Sequence, residues 1–258
     1  MELVLDNVSK AYGSITALDA ISFSVGPGEL VALVGPNGSG KSTLIKAIAT
    51  IHNTTGGTIT IDGKDIREID PVDLAVLLGY VPQSFSYTLY STVFETVLMG
   101  RRRYIKWSVS DEELSRVQRS LDALEMGDLA GKYINELSGG ERQKVFIARA
   151  LAQDPEVFLF DEPTSALDIR YQIEVMETMR RITREQNSSM IIAVHDLNLA
   201  YRYADAVVFL NKGKMAGYGK PQDILTPDCI RSVYGVDSFV VENECGRFIV
   251  PFRARYPG

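Results

Sequence analysis

The sequence has little cysteine, little histidine and no long apolar run. Of 258 residues, two are cysteine (Cys229 and Cys245), two are histidine (His52 and His195) and one is tryptophan. Two cysteines make no disulfide framework, and two histidines with no close partner give no metal-binding spacing. No stretch of 18 or more apolar residues occurs, so no segment reads as a membrane span. The opening MELVLDNVSK lacks the basic start and apolar stretch of a secretory signal. An excess of positive charge is missing too: 27 Lys and Arg stand against 33 Asp and Glu, a formal net charge of −6. A protein that lives by neutralising phosphodiester backbones needs a basic domain, so nucleic acid is a poor first choice of partner. These absences lead us to expect a cytosolic, reduced and soluble chain, which leaves docking onto a membrane protein open.

What is present suits one large α/β domain, or a domain with a smaller insertion, since 45% of residues are hydrophobic and 23% charged. Leu3 and Leu5, then Ile21, Phe23 and Val25, alternate with polar neighbours, and residues 58–61 alternate up to an Asp62-Gly63 turn. These read as antiparallel strands with one face wet. Residues 30–34, 157–160 and 190–194 are apolar without alternation, the pattern of parallel strands buried on both faces. Residues 207–210 and 215–218 flank Asn211-Lys212-Gly213-Lys214 as a hairpin. Between them, residues 84–153 read as a mainly helical insertion. There Leu114, Val117, Leu121 and Leu124 recur at helical spacing, and Asp111, Glu112 and Glu113 stand at the positive end of that helix. The run Arg101-Arg102-Arg103 reads as a solvated face, with contact to a partner protein as the alternative.

The strongest local signal is Gly35-Pro36-Asn37-Gly38-Ser39-Gly40-Lys41-Ser42, which follows a predicted strand and opens the helical run of residues 43–49. Its glycines let backbone N–H groups turn inward on phosphate oxygens, and the helix N-terminus adds partial positive charge. Lys41 reaches the β and γ phosphates, and the Ser42 hydroxyl suits Mg²⁺. The loop alone implies a nucleoside triphosphate and does not choose among kinase, GTPase and ATPase. A second apolar strand runs into Asp161-Glu162, two carboxylates just past its carboxyl end, where open α/β sheets bind ligands. Asp161 fits a Mg²⁺ ligand acting through water, and Glu162 a base for the attacking water.

Leu137-Ser138-Gly139-Gly140-Glu141 narrows the class. Locally Ser138 and Glu141 form a capping box, and a serine with two glycines at a helix start is also an anion site. With the phosphate loop and the Asp-Glu pair, the sequence resembles the ATP-binding cassette (ABC) ATPases, whose signature motif LSGGE matches in sequence and position. The resemblance spans nearly the whole chain. It implies a P-loop NTPase (RecA-like) core of mostly parallel sheet over residues 1–83 and 154–258, an N-terminal antiparallel β subdomain and an inserted α-helical subdomain over 84–153. It also implies ATP and Mg²⁺ as ligands. Tyr12 would stack on adenine. Gln83 would touch Mg²⁺ and the attacking water, His195 would contact the γ-phosphate, and Ser165-Ala166-Leu167-Asp168 would be the D-loop. In this family two cassettes pair head to tail, so Ser138, Gly139, Gly140 and Glu141 of one copy would close over ATP held by Gly35 to Thr43 of the other.

STVFETVLMGR at residues 91–101, and the tail at 223–227, 233–236 and 248–251, look like the ATPases of iron-siderophore, haem and cobalamin importers. That resemblance implies two copies of a transmembrane permease, an extracytoplasmic substrate-binding protein and a place on the cytoplasmic face of the membrane. The alternatives are a molybdate or tungstate importer, an export ATPase and a soluble ABC ATPase of the Fe–S assembly type.

Overall fold

The computed structural model describes residues 1–83, 90–165, 167–244 and 246–255. Residues 84–89 of the expected helical insertion, Ala166 of the D-loop and Cys245 lie outside them. In chain order, strands β1 (Leu3–Tyr12), β2 (Ile15–Val25) and β3 (Leu30–Val34) lead to helix α1 (Lys41–Ile48). Strands β4 (Gly56–Ile61) and β5 (Lys64–Asp65), helix α2 (Pro71–Leu77) and strand β6 (Leu78–Val81) follow. Helices α3 (Val93–Leu98), α4 (Asp111–Asp122) and α5 (Gly139–Gln153) fill the middle. Then come β7 (Val157–Asp161), α6 (Ile169–Gln186), β8 (Ser189–Ala193), α7 (Leu197–Tyr203), β9 (Ala206–Asn211) and β10 (Lys214–Gly219). The chain closes with α8 (Pro221–Ile224), α9 (Pro227–Tyr234), β11 (Val236–Asn243) and β12 (Gly246–Ala254).

The central sheet runs β10-β9-β3-β8-β7-β6 and is parallel except for β10. Every residue of β3, β7 and β8 is buried, as unbroken apolar runs require once both faces are covered. Alternate residues feed two cores. Leu30, Ala32, Phe158 and Phe160 face the side packed by α6, whereas Val31, Leu33, Val157 and Leu159 face α1 and the second sheet. That second sheet, β2-β1-β4-β5, is antiparallel, and its buried Leu3, Leu5, Ile21, Phe23 and Val25 are the alternating set read from the sequence. The β4–β5 and β9–β10 hairpins turn at Asp62-Gly63 and Lys212-Gly213, each with two successive positive φ values (47° and 79° in both), the geometry that matches strand twist.

Two readings of the helical region are corrected. Leu114 is 39% exposed, while Glu113 is buried in its place. The cause is Arg101, which is no solvated residue: its Nε donates to Glu113 Oε2 (2.5 Å), its Nη1 donates to Ala152 O (2.8 Å), and its guanidinium lies over the Tyr104 ring. Arg102 and Arg103 do remain exposed. No described helix is long and apolar enough to cross a membrane.

Candidate functional site

The loop from β3 to α1 is shaped by close approach of backbone to backbone. Gly35 has φ 149°, and a Cβ there would sit 2.2 Å from Leu210 O; Gly40 has φ 109°, and its Cβ would sit 2.8 Å from Ala17 O. No side chain fits either position. Lys41 opens α1 with its side chain buried, and its Nζ donates to the loop's own carbonyls, Gly35 O at 2.8 Å and Pro36 O at 3.3 Å. Burial lowers the Lys41 pKa from its ordinary value, and the neighbouring Glu162 and Asp161 carboxylates push it back up. Ser39 Oγ is buried without a hydrogen-bond partner. A buried cation satisfied only by carbonyls, beside an unpaired hydroxyl, fits a loop that exchanges these contacts for an anion.

Opposite the loop, three adjacent strands deliver side chains from their carboxyl ends. Strand β7 ends at Asp161, β6 leads to Gln83 and β8 leads to His195. Asp161 Oδ1 accepts the Ser42 hydroxyl at 2.7 Å. Burial raises the Asp161 pKa, the Ser42 hydrogen bond lowers it and Glu162 raises it further. Glu162 is 7% exposed and takes φ 54°, a left-handed conformation that costs a non-glycine residue about 1–3 kcal/mol. Its carboxylate is gripped from both sides: Gln83 Nε2 donates to Oε2 at 2.5 Å, and His195 Nε2 stands 2.5 Å from Oε1. Burial and the Asp161 charge push the Tyr80 hydroxyl up to about 12. The Ser42–Asp161 oxygens are the hard donors that Mg²⁺ selects, and their pairing beside the phosphate loop fits that ion.

The remaining residues singled out in the sequence stand apart from this cluster. Tyr12 ends β1 on the surface, 43% exposed, with His52 edge-on at 5.7 Å and Lys10 Nζ 4.9 Å from its ring centroid. Ser138 and Gly139 are exposed at the start of α5. The capping box is complete. Ser138 Oγ accepts the Glu141 N–H (3.3 Å), while Glu141 Oε2 accepts the Ser138 N–H (2.8 Å) and hydroxyl (2.7 Å), holding that carboxyl below its usual range. Among the described hydrogen bonds and ion pairs, none joins the Ser138–Glu141 turn to the loop of Gly35 to Thr43. Asp168 caps α6 by accepting the Tyr171 N–H at 3.0 Å. Leu167 packs on Gly140, where an added Cβ would meet its Cδ2 at 3.3 Å. Asn198 and Tyr234 also border the site; a lone Asn beyond a strand carries no spacing or glycine pattern, and Tyr234 falls only within the tail resemblance at 233–236, which attaches no role to it.

Comparison with known proteins agrees with this geometry. Residues 18–165 match the ABC transporter family model. An uncharacterized ABC transporter ATP-binding protein of Methanocaldococcus jannaschii is 46% identical over 93% of this chain and 94% of its own. The hemin import ATP-binding protein HmuV of Thermobifida fusca is 37% identical over 92% of this chain and 83% of its own. Among solved structures, an inward-facing ABC transporter described as metal-chelate type superposes with TM-score 0.84 at 28% identity, covering 97% of both chains. A bacterial ABC transporter cassette solved as a dimer gives 0.77 at 30% identity, over 85% of this chain and 98% of that one. With its P-loop core, its antiparallel β sheet and its gripped Asp-Glu pair, this chain belongs to the ATP-binding subunits of ABC transporters, the ATPases that power transport.

Proposed function

We propose that the chain drives an importer for an iron-siderophore, haem, cobalamin or related metal chelate, hydrolysing ATP between two copies of itself. The observation that carries the hydrolytic part is the Gln83–Glu162–His195 grip beside Lys41 and Asp161. Gly35, Pro36, Asn37, Gly38, Ser39, Gly40, Lys41, Ser42 and Thr43 cradle the triphosphate. Lys41 turns from the Gly35 and Pro36 carbonyls to the β and γ phosphates. Glu162 takes the proton of the attacking water, and its oxygens are already aimed by Gln83 and His195, so little reorganisation remains at the moment of reaction. Ser42, Asp161 and Gln83 hold Mg²⁺, which when bound neutralises developing phosphate charge. Tyr12 offers its exposed ring to adenine. Ser138, Gly139, Gly140, Glu141 and Asp168 act on the partner copy's nucleotide, in keeping with the exposure of Ser138 and Gly139 and the lack of a bond to their own phosphate loop. Residues 84–153 serve as a helical subdomain that carries the Ser138 turn, set on a core of residues 1–83 and 154–258.

The importer reading rests on the kinship with hemin-import and metal-chelate type proteins. A permease pair, contacted by a groove lined by Tyr80, Met99, Arg102, Arg103, Arg149 and Gln153, would hold the subunit on the cytoplasmic face of the membrane, with a substrate-binding protein on the far side. Export or Fe–S assembly would need a different partner. The test is reconstitution in liposomes with the multispan permease encoded beside it. ATP-dependent uptake of a ferric siderophore, haem or cobalamin is expected, and copurification with no membrane protein would contradict the reading.

A further inference from the structure

The segment of residues 227–255 lies beyond the matched family region and outside the nucleotide motifs, and the tail resemblance over 233–236 and 248–251 gives its residues no role. It is fixed as a unit by Asp237, buried at the start of β11, which accepts Arg231 Nε from α9 and Arg255 Nε from beyond β12, both at 2.8 Å. This unit touches the site at two points. His195, which grips Glu162, is followed by Asp196, the cap of α7, accepting the N–H groups of Asn198 (2.7 Å) and Leu199 (3.3 Å). The Asn198 side chain then reaches β12: Nδ2 donates to Ile249 O at 3.1 Å, and Oδ1 accepts the Ile249 N–H at 2.7 Å. Around this pair the packing is open, a cleft of about 330 Å³ lined by His195, Leu197, Ile230, Tyr234, Val236 and Pro251. The polar tie thus fixes α7 to β12 beside this cleft, at the edge of the buried apolar cluster that holds Ile249, Leu199 and Ile230.

The second point is Tyr234. Its ring packs on Phe209 of β9, centroids 5.8 Å apart, and its hydroxyl is buried without a hydrogen-bond partner. Burial pushes that hydroxyl up to about 12, and the Gly35 N–H beside it pulls the other way. Gly35 is the residue whose carbonyl holds Lys41. The tail thus borders both the phosphate-loop hinge and the segment that carries His195.

We propose that the described residues of 227–255 brace the hydrolytic site, with Asn198 a positioning residue that holds the His195 segment in register against β12. The Asn198 side chain need not touch nucleotide, so its loss should show in turnover and not in ATP affinity. Asn198→Ala removes both bonds to Ile249. It should lower kcat about tenfold, the worth of one to two net hydrogen bonds, with ATP affinity within twofold of the parent. Asn198→Asp keeps the acceptor and should fall between. Tyr234→Phe keeps the ring on Phe209 and removes only a hydroxyl that has no hydrogen-bond partner, so as a control it should leave kcat and ATP affinity within twofold of the parent.

The measurement is steady-state ATP hydrolysis and nucleotide titration of the purified chain, with thermal melts of each variant and Glu162→Gln alongside. The inference rests on the roles given to Glu162 and His195, and full turnover by Glu162→Gln would remove that basis independently of the tail. With Glu162→Gln inactive, an Asn198→Ala kcat within twofold of the parent overturns the brace. So does a kcat loss matched by equal losses in ATP affinity and melting temperature, which is general loosening.

Discussion

Asp161 and Glu162 are neighbours with opposite problems. Glu162 bends its backbone into a left-handed conformation and finds two partners for its carboxylate; Asp161 keeps a regular strand and is buried with one hydroxyl for company. Because burial raises the Asp161 pKa in the folded protein, folding disfavours its charged form. That penalty is fully present at neutral pH and fades as the pH falls through the raised value, the reverse of a salt-bridged aspartate. Asp161→Asn should therefore raise the melting temperature at pH 7 by about 2–4 °C, roughly 1 kcal/mol at this chain length, while ATPase activity is lost. A lower melting temperature, measured by calorimetry, would contradict the burial penalty assigned to this carboxylate. Residues of this kind were legible in the sequence because a glycine-rich loop, a lysine and an acid pair after an apolar strand each have few other uses. The grip on Glu162 was not, since Gln83 and His195 lie 79 and 33 positions away and only the strand order β8-β7-β6 brings them together.

At the scale of elements, the buried strands and their hairpins followed from hydrophobic runs and turn dipeptides, whereas the helical region was misread where charge went inward. Periodicity places Leu114 on the apolar face of α4, but the first turn of that helix meets Arg101, and an ionic contact took the inward position. A separation of twelve positions along the chain hides such a pair from any helical period. The ribbon of β11 and β12 escaped the sequence reading as well, because Phe239, Val241 and Phe252 face solvent there and blur the alternation. Arg101–Glu113 gives a direct energetic test. Arg101→Ala leaves a buried carboxylate and an unpaired Ala152 carbonyl, and should cost about 3–5 kcal/mol in urea unfolding. Arg101→Met combined with Glu113→Leu should recover most of that loss; a double variant as unstable as Arg101→Ala would show that the ion pair itself holds α4 in place.

For the whole molecule, the proposed function makes the arrangement half of a reaction centre. One face carries the phosphate loop, the carboxylates, Gln83 and His195; the Ser138 turn, complete as a helix cap, stands exposed, with no bond to that loop among the described hydrogen bonds and ion pairs. In the proposed function a head-to-tail second copy supplies what is missing, and a related cassette was solved as a dimer. The measurement that tests this most directly is size-exclusion chromatography with light scattering on Glu162→Gln, with and without Mg-ATP. Binding groups survive in that variant while water activation is lost, so the chain should run as a monomer without nucleotide and accumulate as a stable dimer with it. A monomer under both conditions, with ATP demonstrably bound, would contradict the shared site.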